Sequence, residues 1–346
     1  MFPRALFIAL SSAVLASAQL VPAASLASQF SLATSTSLPF PSATLSSSDA
    51  QSYLVDKWSL SKGKIQDLPE NLQFVQDPFP NKPAPSSTTA SGNSSVLQVT
   101  YPSGGFGTGS SGSQFYTLWN TSDGSVFNTM ILTYEVAFDS GFDFVKGGKL
   151  PGLRGGPEPN GCSGGNAANG SNCFSNRLMW RSQGRGEVYA YLPDSKDLCS
   201  TGDALCNQDG FGTSIRRGAF NFIAGQWNRV TMLVRLNDIR TANGQVSLYY
   251  NDVPAINEQT VVFRTNSDIN VGGMYFSTFY GGSDASWAPS TTTHTYFRNI
   301  QLYGSSAQSN LTGSKISAGF PTAPVVPWER LLAVVLGCVA TLFAVL

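Results

Sequence analysis

Residues 175–192 read Ser-Asn-Arg-Leu-Met-Trp-Arg-Ser-Gln-Gly-Arg-Gly-Glu-Val-Tyr-Ala-Tyr-Leu, two alternating segments joined by a Gly-containing connection at residues 182–186. This pattern predicts a β-hairpin with a longer loop. Setting Arg181 opposite Glu187 pairs Met179 with Tyr189 and Arg177 with Tyr191. Side chains alternate between the faces of a strand. One face of the hairpin therefore carries Ser175, Arg177, Met179, Arg181, Glu187, Tyr189 and Tyr191, and the other carries Leu178, Trp180, Val188, Ala190 and Leu192. The second face is core. A solvated sheet surface would account for polarity on the first, but two aligned tyrosines beside an arginine and a serine fit a binding or reaction surface better.

The rest of the chain supplies sheets for such a hairpin to sit in. Met130, Leu132, Tyr134, Val136 and Phe138 alternate with Thr133 and Glu135, and Val230, Met232, Val234 and Leu236 repeat the pattern. Val246, Leu248 and Tyr250 follow an Asn243-Gly244 turn signal, and residues 274–280 and 296–303 complete the set. Short strands without long helical periods predict an all-β jelly-roll sandwich of two antiparallel sheets with a concave substrate groove, spanning residues 50–305. The 34 glycines and a charged fraction of only 12% agree with a loop-rich β protein. Residues 19–49, rich in Ser, Thr and Ala, read as a flexible leader, and residues 306–317 as a stalk.

Both ends read as targeting segments. Residues 1–18 have a basic start, an apolar run and an Ala16-Ser17-Ala18 ending, the pattern of a secretory signal peptide. Residues 331–346 are a second apolar run, preceded by a spacer and the small residues Ser317-Ala318-Gly319. That order predicts a glycosylphosphatidylinositol attachment signal over residues 318–346, with Ser317 as the attachment site and the tail removed. The expected location is extracellular, on the plasma membrane face or cell wall, with a lipid anchor as the only membrane contact. Removal of Cys338 leaves four cysteines, and Cys162 with Cys173 and Cys199 with Cys206 is the most economical disulfide pairing. Sequons at Asn93, Asn120, Asn169 and Asn310 suit the same compartment. Lys plus Arg and Asp plus Glu are equal at 21 each, so no global field favours nucleic acid. The expected state is a monomer.

Several familiar chemistries have little to build on. His294 is the only histidine, so histidine-based metal clusters and Ser-His-Asp triads are poorly supported. The Gly104-Gly105-Phe106-Gly107 run lacks a P-loop lysine. A hydrolytic carboxylate pair drawn from Glu135, Asp139, Glu187 and Asp284 has no diagnostic spacing. A different set stands out. The run Lys146-Gly147-Gly148-Lys149-Leu150-Pro151-Gly152-Leu153 puts two lysines in a Gly-rich stretch. Alone it reads as a basic surface turn. Together with Arg177, Tyr189 and Tyr191 it supplies what β-elimination of a uronic acid needs: a cation for the carboxylate, a base for the C5 proton and an acid for the departing O4. A phenol serves as base where cations lower its pKa from about 10. No metal or other cofactor is required.

The Gly-Gly-Lys-Leu-Pro-Gly stretch, the Ser-x-Arg at Ser175 and Arg177, the Tyr-x-Tyr at Tyr189 and Tyr191, and the later Phe279-Tyr280-Gly281-Gly282-Ser283-Asp284 with Trp287 resemble polysaccharide lyase family 14, the alginate and polyuronate lyases of jelly-roll fold. The resemblance covers residues 50–305. It implies a catalytic set of Lys149, Ser175, Arg177, Tyr189 and Tyr191, with an acidic polysaccharide as substrate. Arg181, Lys146, Tyr280, Asp284 and His294 are expected substrate contacts. Arg177 and Ser175 are assigned to the carboxylate, a tyrosine to proton transfer, and Lys149 to the base or to lowering a phenol pKa. Residues 155–172 depart from the family pattern, as does Arg154, which stands where an aromatic residue is expected. A non-catalytic carbohydrate-binding or wall module on the same fold is the alternative, and a hydrolase the third reading. The choice among mannuronate, guluronate and glucuronate, and between endo and exo action, is left open.

Overall fold

The computed structural model describes residues 19–60, 65–85, 95–119, 121, 123–159, 161–193, 196–206 and 211–316. The expected signal peptide at residues 1–18, Ser317 with the apolar tail that includes Cys338, and the sequons at Asn93 and Asn120 lie outside the described residues.

The strands in chain order are β1 (Thr34–Ser37), β2 (Leu72–Val75), β3 (Val96–Tyr101), β4 (Ser113–Leu118), β5 (Thr129–Phe138), β6 (Gly147–Gly155), β7 (Phe174–Arg181) and β8 (Arg185–Tyr191). They continue with β9 (Ala204–Leu205), β10 (Thr213–Asn221), β11 (Trp227–Arg235), β12 (Gly244–Tyr250), β13 (Val253–Val261), β14 (Val271–Tyr280) and β15 (Thr293–Ser305). Among the described residues, three short α-helices, α1 (Ala23–Gln29), α2 (Ser47–Lys57) and α3 (Lys196–Ser200), and the 3-10 segments Pro69–Asn71, Ser182–Gly184 and Ala285–Trp287 complete the regular structure. One sheet runs β13-β12-β11-β5-β15-β3-β2, with β1 also paired to β15, and the other runs β4-β14-β6-β7-β8-β10-β9. All named pairings are antiparallel. The architecture is the expected jelly-roll sandwich.

The period-2 pattern explains how the sheets meet. Met130, Leu132, Tyr134, Val136 and Phe138 on β5 pack in one cluster with Leu178, Trp180, Val188 and Ala190 of the β7–β8 hairpin. Trp180 is fully buried and meets Tyr101, Phe138, Phe142 and Tyr280 edge-on. Each such ring pair adds about 0.5–1.5 kcal/mol beyond the area it buries. The apolar back of the hairpin is thereby pinned, and its other face is turned away from the core. Among the described residues no helix is long and apolar enough to cross a membrane.

The expected leader and stalk are corrected by the fold. Leu26 and Ala27 of α1, with Leu32, cover Ile131 and Leu233 on the outer side of the first sheet, and β1 extends the β15 ladder. The Ser- and Thr-rich composition hides a small apolar stripe, Val21, Leu26, Phe30 and Leu32, sufficient to dock the segment. At the other end, Ser309 Oγ donates to the Asn243 carbonyl at 2.6 Å and Asn243 Nδ2 donates to the Leu311 carbonyl at 3.0 Å. Residues 306–316 therefore return along the sandwich.

Candidate active site

The hairpin forms two residues out of the expected register. The pairs are Ser175 with Tyr191, Arg177 with Tyr189, Met179 with Glu187 and Trp180 with Gly186. The turn is centred on Gln183, which takes a left-handed φ of 64° inside a short 3-10 segment at Ser182–Gly184. A slip of two residues leaves every side chain on its face, so the parity assignment survives where the pairing does not. Arg181 still reaches Glu187, at 2.6 Å, but diagonally, while its backbone pairs with Gly147 on β6.

The lysine-bearing stretch is a strand, β6, directly between β7 and β14. Lys149 lies opposite Met179 on one side and Phe279 on the other. A bulge between Leu150 and Leu153 absorbs Pro151 and Gly152. This extra residue reverses the parity, so that Lys149 and Arg154 share the outer face while Leu150 and Leu153 point into the core. Gly152 is required there, because a Cβ at this position would sit 1.8 Å from the Asn176 carbonyl oxygen. The disulfide Cys162–Cys173 closes the β6–β7 connection itself, and Cys199–Cys206 forms as expected too.

Lys149, Ser175, Arg177, Tyr189 and Tyr191 are thus brought together on one face. Lys149 Nζ lies 3.5 Å from the centroid of the Tyr189 ring and 3.0 Å from Met179 Sδ. Arg177 stands 5.9 Å from the Tyr191 ring and 4.7 Å from that of Tyr275, and its Nη1 donates to Ser277 Oγ at 3.0 Å. Its Nε is buried without a protein partner. Ser175, fully buried, donates to the Cys162 carbonyl at 2.6 Å, and the Tyr191 hydroxyl accepts from Gly165 N at 3.2 Å. The disulfide loop therefore lies against one end of the site. A solvated sheet face is ruled out by burial: Arg177 is 2% exposed and Lys149 8%.

Burial is the main force on the Lys149 amine, reinforced by Arg177 and Arg181, and it drives the pKa well below the ordinary lysine value; Glu187 opposes. The ring of Tyr189 favours the ammonium by about 0.5–2 kcal/mol. That attraction does not compensate for an ammonium whose three donors find only a thioether sulfur, a weak acceptor. The neutral amine fits the geometry. Burial and then Tyr191 raise the Tyr189 pKa, outweighing Arg177 and Arg181. The cations therefore do not make that phenol a ready base.

The remaining expected contacts separate. Arg181 lies beside the site but is paired with Glu187, which also accepts from Ser214 Oγ at 2.7 Å and Arg217 Nε at 2.8 Å. Lys146 is exposed, donates to Ser286 Oγ at 2.5 Å and lies 6.0 Å from the Trp287 ring. Asp284 is exposed and accepts from Ser286 N at 2.9 Å. Tyr280 is corrected to the core: it is fully buried, and its hydroxyl donates to the Asp143 carbonyl at 2.5 Å, fastening the turn before β6. His294 is corrected to the opposite sheet, where its Nδ1 lies 3.0 Å from Asp139 Oδ2. A bulge between Arg298 and Gln301 shifts the register further along β15, where Ile300 and Leu302 join the core. Glu135 also lies on that sheet and binds Arg229 and Arg298. Each carboxylate of the candidate hydrolytic set has its own partners: Glu135 binds Arg229 and Arg298, Glu187 binds Arg181 and Arg217, Asp139 accepts from His294 N and Tyr296 OH, and Asp284 accepts from Ser286 N. Arg154 is 6% exposed and lies 4.4 Å from the Tyr116 ring, which stacks at 4.3 Å on Tyr275, the ring beside Arg177. Asn169 and Asn310 are exposed.

Sequence reasoning missed Gln114. Its Oε1 accepts from Tyr275 OH at 2.7 Å and from Ser277 Oγ at 3.0 Å, the same serine that holds Arg177. The alternation of Gln114 and Tyr116 with buried Phe115 was the available signal, in a strand too short to stand out.

Comparison with known proteins bears on this arrangement. The family model described as polysaccharide lyase 14 matches residues 89–300. Exolysin of Paramecium bursaria Chlorella virus 1 is 28% identical over 211 residues, 53% of this chain and 29% of its own length. The chain thus spans less than a third of that relative. The marine PL-14 alginate lyase from Aplysia kurodai superposes with a TM-score of 0.62 at 28% identity, over 78% of this chain and 100% of that one. A variant of alginate lyase Aly36B in complex with alginate trisaccharide shares the fold at 19% identity, with a TM-score of 0.57, over 79% of this chain and 98% of that one.

Proposed function

The chain belongs to polysaccharide lyase family 14, and from that membership and the geometry of the site we propose that it cleaves a uronic-acid polysaccharide by metal-independent β-elimination. The observation that carries this reading is Lys149, a buried amine without a carboxylate partner among the described residues, set 3.5 Å from the Tyr189 ring and on the same sheet face as Arg177. A neutral amine is a competent base. Arg177, with an unpaired buried Nε, neutralises the uronate carboxylate and so acidifies the C5 proton. Lys149 removes that proton, the C5 electron pair forms the C4–C5 double bond, and the C4–O4 bond breaks. Tyr191 protonates O4: its oxygen accepts from Gly165 N, which leaves the hydroxyl proton free to be given and supports the phenolate that remains. Ser175 acts by fixing the Cys162 carbonyl and the loop beside Tyr191.

The test is incubation of the mature chain with polymannuronate, polyguluronate, glucuronan and pectic substrates, read by ultraviolet absorbance of the unsaturated product, with and without a chelator. Tyr191→Phe is expected to lower kcat by about 10²–10⁴, the usual worth of a general acid, with the fold retained. No unsaturated product across the panel would sink the lyase reading; polyuronate binding without product would favour a non-catalytic module. Loss of activity on chelation would refute metal independence.

Secretion as a glycosylated monomer held by a lipid anchor is part of the same proposal. It rests on the two terminal apolar runs and the sequons. Release from expressing cells by a phosphatidylinositol-specific phospholipase is the expected result, and retention after treatment would refute the anchor.

A further inference from the structure

On the outer side of the first sheet, β11, β12 and β13 form the floor of a cleft of about 510 Å³, walled by Phe30 after α1 and by Asn310 in the returning segment. That volume lies within the range of about 300–1,000 Å³ typical of small-ligand sites. Arg235 is the one charged residue lining it. Its side chain is held in place by Asn310, whose Oδ1 accepts from Nη1 at 2.8 Å, and by the Phe30 ring at 5.1 Å. The residue is 9% exposed, it forms no ion pair among the described residues, and its Nε has no partner. Gln245, 5% exposed, donates its amide to Ser247 and Asn257, while its Oε1 has no partner.

A buried guanidinium without a counter-charge is costly, and its planar fork matches a carboxylate. The Phe30 and Tyr249 rings offer flat apolar surface beside it, and Asn257 and Gln245 offer amides. One cation, two rings and several amides suit a pyranose unit bearing one carboxylate. A phosphate or sulfate cluster would call for more than one cation. We propose that this cleft is a second saccharide site, on the opposite side of the sandwich from the groove, which takes a uronate unit.

The test is calorimetric titration of the full chain, produced without N-glycans and carrying Lys149→Ala so that ligand is not consumed. Trisaccharides of mannuronate and of glucuronate are compared with neutral cellotriose. Two uronate molecules per chain are expected, one lost on adding Arg235→Met or Tyr249→Ala and the other on adding Arg177→Met. Cellotriose is expected to bind the cleft at least about tenfold more weakly, the equivalent of one charge-assisted hydrogen bond. A single site lost only with Arg177 would overturn the cleft proposal and leave the groove reading standing. A single site lost only with Arg235 would sustain the cleft and count against the groove. Equal affinity for cellotriose would overturn the carboxylate assignment.

Discussion

Lys149 shows how a residue's surroundings decide its chemistry. Its amine is buried beside Met179 and Tyr189, and its pKa is driven well below the ordinary lysine value of about 10.4. Between the folded pKa and that ordinary value the unfolded chain binds more protons than the folded one, so stability rises with pH across this window. The cost of burying the amine is fully present below the folded pKa. Lys149→Met is therefore expected to raise Tm most at the acid end of the window, with the gain shrinking towards pH 10, while abolishing turnover. Thermal melts of both proteins across pH check the sign, and a gain that grew with pH would contradict it. Tyr280 provides the contrasting case at this scale. Its motif suggested substrate contact, yet it bonds the Asp143 carbonyl within the core. Tyr280→Phe is expected to cost about 0.5–1.5 kcal/mol of stability, the worth of one hydrogen bond, and to leave KM within about twofold. A large rise in KM at unchanged stability would return it to the substrate groove.

At the scale of elements, strand parity was legible and pairing was not. Alternation alone put Arg177, Tyr189 and Tyr191 on one face, because the side-chain period of a strand is fixed by its backbone. The pairing depended on Gln183 adopting a left-handed turn conformation, which nothing in a Ser-Gln-Gly-Arg string required. The same limit concealed β6. Its Gly and Pro content reads as a loop, whereas the bulge at Pro151 and Gly152 is what lets one strand present both Lys149 and Arg154 outward. Gly152→Ala tests that dependence. A Cβ there meets backbone, not a movable side chain, and the expected cost is about 1–3 kcal/mol. Because the strain falls between β6 and β7, kcat is expected to drop with it. Denaturant melts and kinetics together check this, and an unchanged melt would show that the bulge has room to adjust.

Across the whole molecule, the two outer faces of the sandwich carry different sets of residues. The second sheet carries the cluster of Lys149, Arg177, Tyr189 and Tyr191, and the first carries the network of Glu135 with Arg229 and Arg298, the docked N-terminal segment and the Arg235 cleft. Leu26 and Leu32 are buried on that sheet, and full burial of such a side chain stabilises by about 1.5–3 kcal/mol. Removing residues 19–37 is therefore expected to lower Tm by several degrees while leaving the groove's kcat intact. Calorimetry and kinetics on the shortened chain check both parts, and an unchanged Tm would mean that the segment contributes nothing to the fold. By itself the sequence determined the sandwich, both disulfides and which residues share the hairpin's outer face, because these follow from local periodicity and short loop closure. Only the tertiary structure decided that burial lowers the Lys149 pKa, that Tyr280 lies in the core and His294 on the opposite sheet, and that Gln114 supports Arg177 through Ser277. Burial, bulges and contacts between distant strands set those outcomes, and no local pattern encodes them.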